Sequence, residues 1–147
     1  MSSLISTTIL PQIHLTEQSL DLQAVVELVT SDGCGAIDVF IGTVRNKTKG
    51  REVVRLEFEA YDKMAIKEMT KIADRARKQW PIAELAIHHR VGTLGIGDTA
   101  VIIAVSTPHR KASFEACQFV IDTLKETVPI WKKEVFEDGE VWVAAHP

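Results

Sequence analysis

Leu22, Val25, Val26 and Val29 recur at steps of three and four in SLDLQAVVELVT, which predicts an amphipathic helix with Ser19 as N-cap. GAIDVFIGTVR follows; its β-branched content reads as a largely buried strand that runs into the polar loop NKTKGRE. In VVRLEFEAYD the period changes to two. Val54, Leu56, Phe58 and Ala60 alternate with Arg55, Glu57 and Glu59, as in a strand with one wet face. Helical spacing returns through Ala65, Met69, Ile72, Ala76 and Trp80, and Pro81 ends that run. ELAIHHRVG alternates again and puts His88 and His89 on opposite faces. The Gly-rich GTLGIGD reads as a hairpin loop, and TAVIIAVS, apolar on both faces, as a central strand. A third helix carries Phe114, Cys117, Ile121, Leu124 and Val128 as its apolar stripe. The segments IWKKEVF and EVWVA flank Glu-Asp-Gly as a terminal hairpin.

Strands therefore come in pairs between three main helices. That order predicts an α+β fold with a mixed or antiparallel sheet rather than a doubly wound parallel one. The length of 147 residues suits a single domain spanning residues 1–147. A hydrophobic fraction of 46% and a charged fraction of 25% are those of an ordinary globular protein. Net charge is −3 and the sequence pI is about 5.9, which argues against a general binder of nucleic acid or anionic membranes. Any anion site must be local. MSSLISTTILPQIHL lacks the basic start and apolar run of a secretory signal, and no window has the length of a membrane span. With two cysteines and no CxxC, the expected setting is reducing and cytoplasmic.

Common catalytic signatures are missing: no GxSxG, GxxxxGK[ST], HExxH or metal-spaced Cys/His set occurs. Cys34 and Cys117 read as small buried hydrophobes rather than nucleophiles. Lys47, Lys49 and Arg51 read as solvated loop charges. His88 and His89, on opposite faces, cannot share a metal and read as core or surface histidines. What remains is a set of cations at element ends. Arg45 terminates a strand, and His109 and Arg110 open the third helix, where free backbone N–H groups favour an anion. Lys125 falls about 1,100° beyond Phe114 at about 100° per residue, at the margin of the stripe. It either lays its stem over apolar surface or serves a site. Lys132 alternates with Ile130 and Glu134, whereas Lys133 points the other way. A lysine against apolar walls loses hydration, and its pKa falls towards the range useful for proton transfer.

FIGTVRN, RARKQWPIAELAIHHRVGTLGIGD, STPHRKASFEACQFVIDTLKE and PIWKKE occur in that order. With them the chain resembles the large, catalytic subunit of molybdopterin synthase from about Gly35 to Trp142. The resemblance implies an α/β-hammerhead-type domain. It implies conversion of cyclic pyranopterin monophosphate to molybdopterin, with sulfur from the C-terminal Gly-Gly thiocarboxylate of a small ubiquitin-like subunit. It further implies a homodimer of large subunits inside a heterotetramer, and no cofactor or metal. Carried over by motif, the catalytic lysines are Lys125 and Lys132. The substrate-contacting residues are Thr43, Val44, Arg45, His109, Arg110, Lys133 and Glu134. Two other readings stand beside it: a non-catalytic scaffold for a ubiquitin-like tail, and an unrelated enzyme acting on a phosphorylated metabolite. The first predicts degraded cationic positions and the second a carboxylate cluster or metal site; the sequence shows neither.

Overall fold

The computed structural model describes residues 9–143. The expectations for the first eight residues and for Ala144 at the end of EVWVA lie outside the described residues. The elements are β1 (Ile13–Thr16), α1 (Leu22–Val29), β2 (Ala36–Thr43), β3 (Lys47–Thr48), β4 (Arg51–Ala60), α2 (Asp62–Gln79), β5 (Glu84–Arg90), β6 (Gly92–Gly95), β7 (Thr99–Thr107), α3 (Arg110–Thr127), β8 (Ile130–Phe136) and β9 (Gly139–Val143). They form two sheets. The first runs β1-β5-β7-β2, with β1 parallel to β5 and the other pairs antiparallel. The second runs β3-β4-β8-β9, and β6 also pairs with β4. This is the expected α+β architecture. Among the described residues no helix is long and apolar enough to cross a membrane.

The larger core gathers Met69, Ile72 and Ala76 from α2, Val120, Ile121 and Leu124 from α3, and inward residues of both sheets. On the opposite face of the first sheet, Val25 and Val29 of α1 pack on Ala86, Ile102 and Ala104. Helices on both faces explain why β7 is apolar throughout: it is covered twice.

Several elements differ from the sequence reading, each for a local reason. The N-cap of α1 is Asp21, whose side chain accepts from Ala24 N–H, not Ser19. β1 was not expected, since four half-buried residues carry almost no periodic signal. β2 is half exposed rather than largely buried, because it is the edge of its sheet. NKTKGRE is a hairpin, not an open loop: Lys49 (φ 51°) and Gly50 (φ 80°) form the two positive-φ positions between β3 and β4. GTLGIGD contains β6, and only its second half, with Gly97 at φ 84°, is the turn. In α3 the buried stripe begins at Ser113 and Ala116, one position from Phe114, which is 56% exposed.

The register of β4 against β8 shifts between Val53 and Arg55. Val53 is thereby buried, and Val54, expected in the core, is 45% exposed. Val53→Ala should cost about 2 kcal/mol in urea unfolding through lost burial and a residual cavity. Val54→Thr should stay within about 0.5 kcal/mol. Equal costs at the two positions would mean that the bulge is misplaced.

Candidate active site

α3 cannot continue past Val128, because Pro129 restricts the residue before it; Val128 adopts an extended conformation and caps the helix through its N–H to Leu124 O. β8 starts directly afterwards, so Lys125 in the last helical turn and Lys132 in the strand return to the same region. Lys132 lies opposite Phe58 on β4. The exit of β2 is held by Val44, whose N–H donates to Asp98 O at 3.0 Å and whose carbonyl accepts from Gly97 N–H at 2.9 Å. This clamp sends Arg45 outward.

Between these elements lies a cavity of about 110 Å³ lined by Phe40, Thr43, Phe58, His89, Lys125 and Lys132, with Leu56, Val101, Ile121 and Leu124 among its apolar walls. Gly42 marks how tight it is: a Cβ there would meet Val101 Cγ1 at 2.7 Å. The lysine positions therefore face a narrow, mostly hydrocarbon space. Burial is the main cause that pulls the Lys132 ammonium below the usual lysine range. Glu134 opposes that shift, while the positive charges of Lys125 and Arg45 add to it. Half-buried Lys132 and exposed Lys125 border one small volume, and Arg45 is near enough to act on Lys132, an arrangement that invites an anion.

The other predicted residues are distributed as follows. Thr43 lines the cavity, Val44 is buried in the backbone clamp, and Arg45 is exposed close enough to act on Lys132. Glu134 is 8% exposed, and its Oε2 accepts from Thr48 Oγ1 at 2.7 Å. Lys133 projects to the other face of β8, where its Nζ lies 3.3 Å from Glu57 Oε1. Arg55 first, and then Lys133, hold the Glu57 carboxyl below its ordinary range. His109 caps α3 without a side-chain cap bond, and with Arg110 it is exposed. Lys125 lies fifteen residues further along the same helix, about 22 Å away at about 1.5 Å per residue. One chain thus brings Thr43, Arg45, Lys125 and Lys132 together and leaves His109 and Arg110 apart from them.

His89 is the site residue that the strand pattern does not reveal. It is 5% exposed, lines the cavity and meets Phe58 edge-on at 5.5 Å. Its Nδ1 lies 2.8 Å from Arg90 O, an atom that can only accept, so Nδ1 carries the proton. Burial, and after it the charge of Lys125, push its pKa down to about 4, which leaves a neutral ring. Alternation does put His89 with Leu85 and Ile87, but nothing local says that this face ends in a cavity. Burial, and then Asp38, push the Cys117 thiol up to about 12, as suits a structural cysteine. Arg51, expected in solvent, instead binds Asp138 at 2.6 Å and stacks 3.7 Å above Phe136. No group of three or more His, Cys, Asp or Glu arranged to hold a metal occurs among the described residues.

Comparison with known proteins identifies the family. The family model described as MoaE protein matches residues 15–127. The molybdopterin synthase catalytic subunit of Halalkalibacterium halodurans is 50% identical over 129 residues, 88% of this chain and 83% of that one. That of Taeniopygia guttata is 50% identical over 131 residues, 88% and 84% of the two chains. The crystal structure of molybdopterin synthase from Staphylococcus aureus superposes with a TM-score of 0.89 at 41% identity, covering 92% of this chain and 98% of that one. On sequence and fold together, the chain belongs to the MoaE protein family.

Proposed function

We propose that this chain is the catalytic subunit of a molybdopterin synthase. It moves sulfur from the C-terminal thiocarboxylate of a small ubiquitin-like subunit onto cyclic pyranopterin monophosphate, giving molybdopterin in the cytoplasm. The observation that carries this reading is the meeting of Lys125 and Lys132 at a narrow apolar cavity with Arg45 beside them. A Gly-Gly end has no side chains and fits such a channel, and its terminal anion is drawn to the two ammonium groups. The partner's thiocarboxylate sulfur forms the new carbon–sulfur bond as the carbon–oxygen bond breaks and Lys132 donates a proton to the departing oxygen. Water then cleaves the resulting thioester, which leaves the sulfur on the pterin and returns the partner's end as a carboxylate. No protein thiol is needed, in keeping with the raised pKa of Cys117. Intact cationic positions also favour this reading over a scaffold that has lost its chemistry.

Arg45, His109 and Arg110 bind the phosphate and pterin. Arg45→Lys keeps the charge but loses the planar fork that matches phosphate oxygens. In calorimetric titrations it should weaken pterin binding about tenfold or more and leave partner binding unchanged; equal loss of both contradicts a dedicated phosphate role. The spacing along α3 is met if His109 and Arg110 serve the cavity of a neighbouring copy in a homodimer. Thr43, Val44 and Glu134 support the same site, Val44 and Glu134 through the clamp and the Thr48 bond, whereas Lys133, expected to contact substrate, is turned to Glu57 on the other face of β8.

The deciding experiment combines the purified chain, the thiocarboxylated partner and the pterin substrate, and follows dithiolene formation. Mixing a Lys125→Ala chain with an Arg110→Ala chain then tests the shared site. Each mixed dimer has one cavity with both residues intact and should regain activity there. Mixed dimers that form but stay inactive would place all these residues in one protomer's own site, and a parent mixture that forms no dithiolene would sink the reading itself.

A further inference from the structure

The polar side chains of the cavity divide unequally into donors and acceptors. Lys125 and Lys132 only donate. The Thr43 hydroxyl stands on an exposed residue. His89 is more than nine-tenths buried, and its Nδ1 is committed to Arg90 O. Its Nε2 therefore carries a lone pair, and no partner for that atom is found among the described residues. A buried acceptor without a partner is unusual in a folded protein and implies a donor supplied from outside.

We infer that His89 Nε2 accepts the backbone N–H of the terminal glycine when a carboxylate-ended or thiocarboxylate-ended chain enters the cavity, an assignment that rests on the tail-binding reading above. A peptide end pushed into an apolar channel carries two needs. Its anion requires cations, which Lys125 and Lys132 provide. Its last amide N–H leaves water and requires an acceptor, because a buried backbone donor without a partner is costly. Phe40, Leu56, Phe58 and Val101 have no acceptor in their side chains, and His89 sits among them. The site is thus matched to a main chain and not only to a negative charge.

The environment keeps this acceptor available. Lys125 from α3 and Lys132 from β8 line the same cavity as this ring; Phe58 on β4 and Val101 on β7 do not titrate. Burial of the ring first, and then the charge of Lys125, outweigh the opposing bond to Arg90 O, so His89 stays neutral near pH 7. A protonated imidazole would instead be a third donor facing the incoming N–H.

Calorimetric titration at pH 7.5 with two synthetic hexapeptides tests the assignment. One ends in Gly-Gly with a free carboxylate. The other carries an ester oxygen in place of the terminal N–H, which removes the donor and keeps the size. The parent chain should bind the ester about tenfold more weakly. His89→Asn keeps the donor to Arg90 O, and His89→Phe keeps the ring and its contact with Phe58; whichever folds, by an unchanged urea midpoint, should bind both peptides equally. An undiminished preference for the amide in a folded His89 variant overturns the assignment alone. A parent chain that binds both peptides equally does the same. A parent chain that binds neither overturns the tail-binding reading and this assignment with it.

Discussion

Lys132→Ala should lower the rate of dithiolene formation on the order of 100-fold or more, and Lys125→Ala by a similar factor, with partner binding largely kept. The size follows from where the charges sit. In water an ammonium group is screened, but Lys132, half-buried against Phe58 and Leu56, acts through a poorly polarisable medium on charge that develops during the reaction, and Lys125, though exposed, borders the same cavity. Lys132 has the further property that burial lowers its pKa, which brings proton release closer to the working pH than for a surface lysine. Lys132→Arg separates the two roles. Arginine holds the charge but does not give up its proton in this range. A loss close to that of Lys132→Ala identifies proton donation, whereas a mostly retained rate identifies electrostatic stabilisation. If both alanine variants keep near-normal sulfur transfer, the lysines are not the catalytic groups.

Acid should destabilise the fold before its carboxylates are protonated. His89 has a folded pKa of about 4, against an ordinary 6.5, and His88 is also shifted down, by burial first. Both are neutral in the folded chain near pH 7. As pH falls below 6.5 the unfolded chain takes up protons that the folded chain refuses, so stability drops until pH reaches the folded value. For His89 alone, a drop from 6.5 to about 4 at about 1.36 kcal/mol per unit amounts to about 3 kcal/mol. His88 extends the loss in the same direction. Its Nε2 lies 2.8 Å from Pro11 O, and its ring meets His14 at 5.0 Å. Urea unfolding measured from pH 7 to pH 4 should show this slope, and His89→Asn should remove most of the His89 share. A flat profile over that window would show that His89 is not held neutral by burial.

The periodicities of α2, α3 and β7 are written in residues three, four or two positions apart, so the sequence alone determined these elements and the α+β order. It also determined which cations stand at element ends and that neither cysteine resembles a nucleophile. The tertiary structure decided what those cations do. Lys132 differs from a surface lysine because β4, β5 and β7, distant in sequence, supply apolar walls that strip water from it, while Lys125 is exposed and borders the same cavity. Lys132 and Lys133 are neighbours in the chain, yet β8 turns one to the cavity and the other to Glu57. Val53 displaced Val54 because a register shift depends on the partner strand, and no pattern within β4 records it. His89 reads as a core or surface histidine, and its place at the cavity is hidden from the sequence for the same reason. Its chemistry comes from burial, from the direction of one hydrogen bond and from a charge on α3, all set by groups far along the chain or by backbone geometry. Local spacing specifies which face a residue takes, whereas desolvation and the approach of charges are properties of the assembled fold.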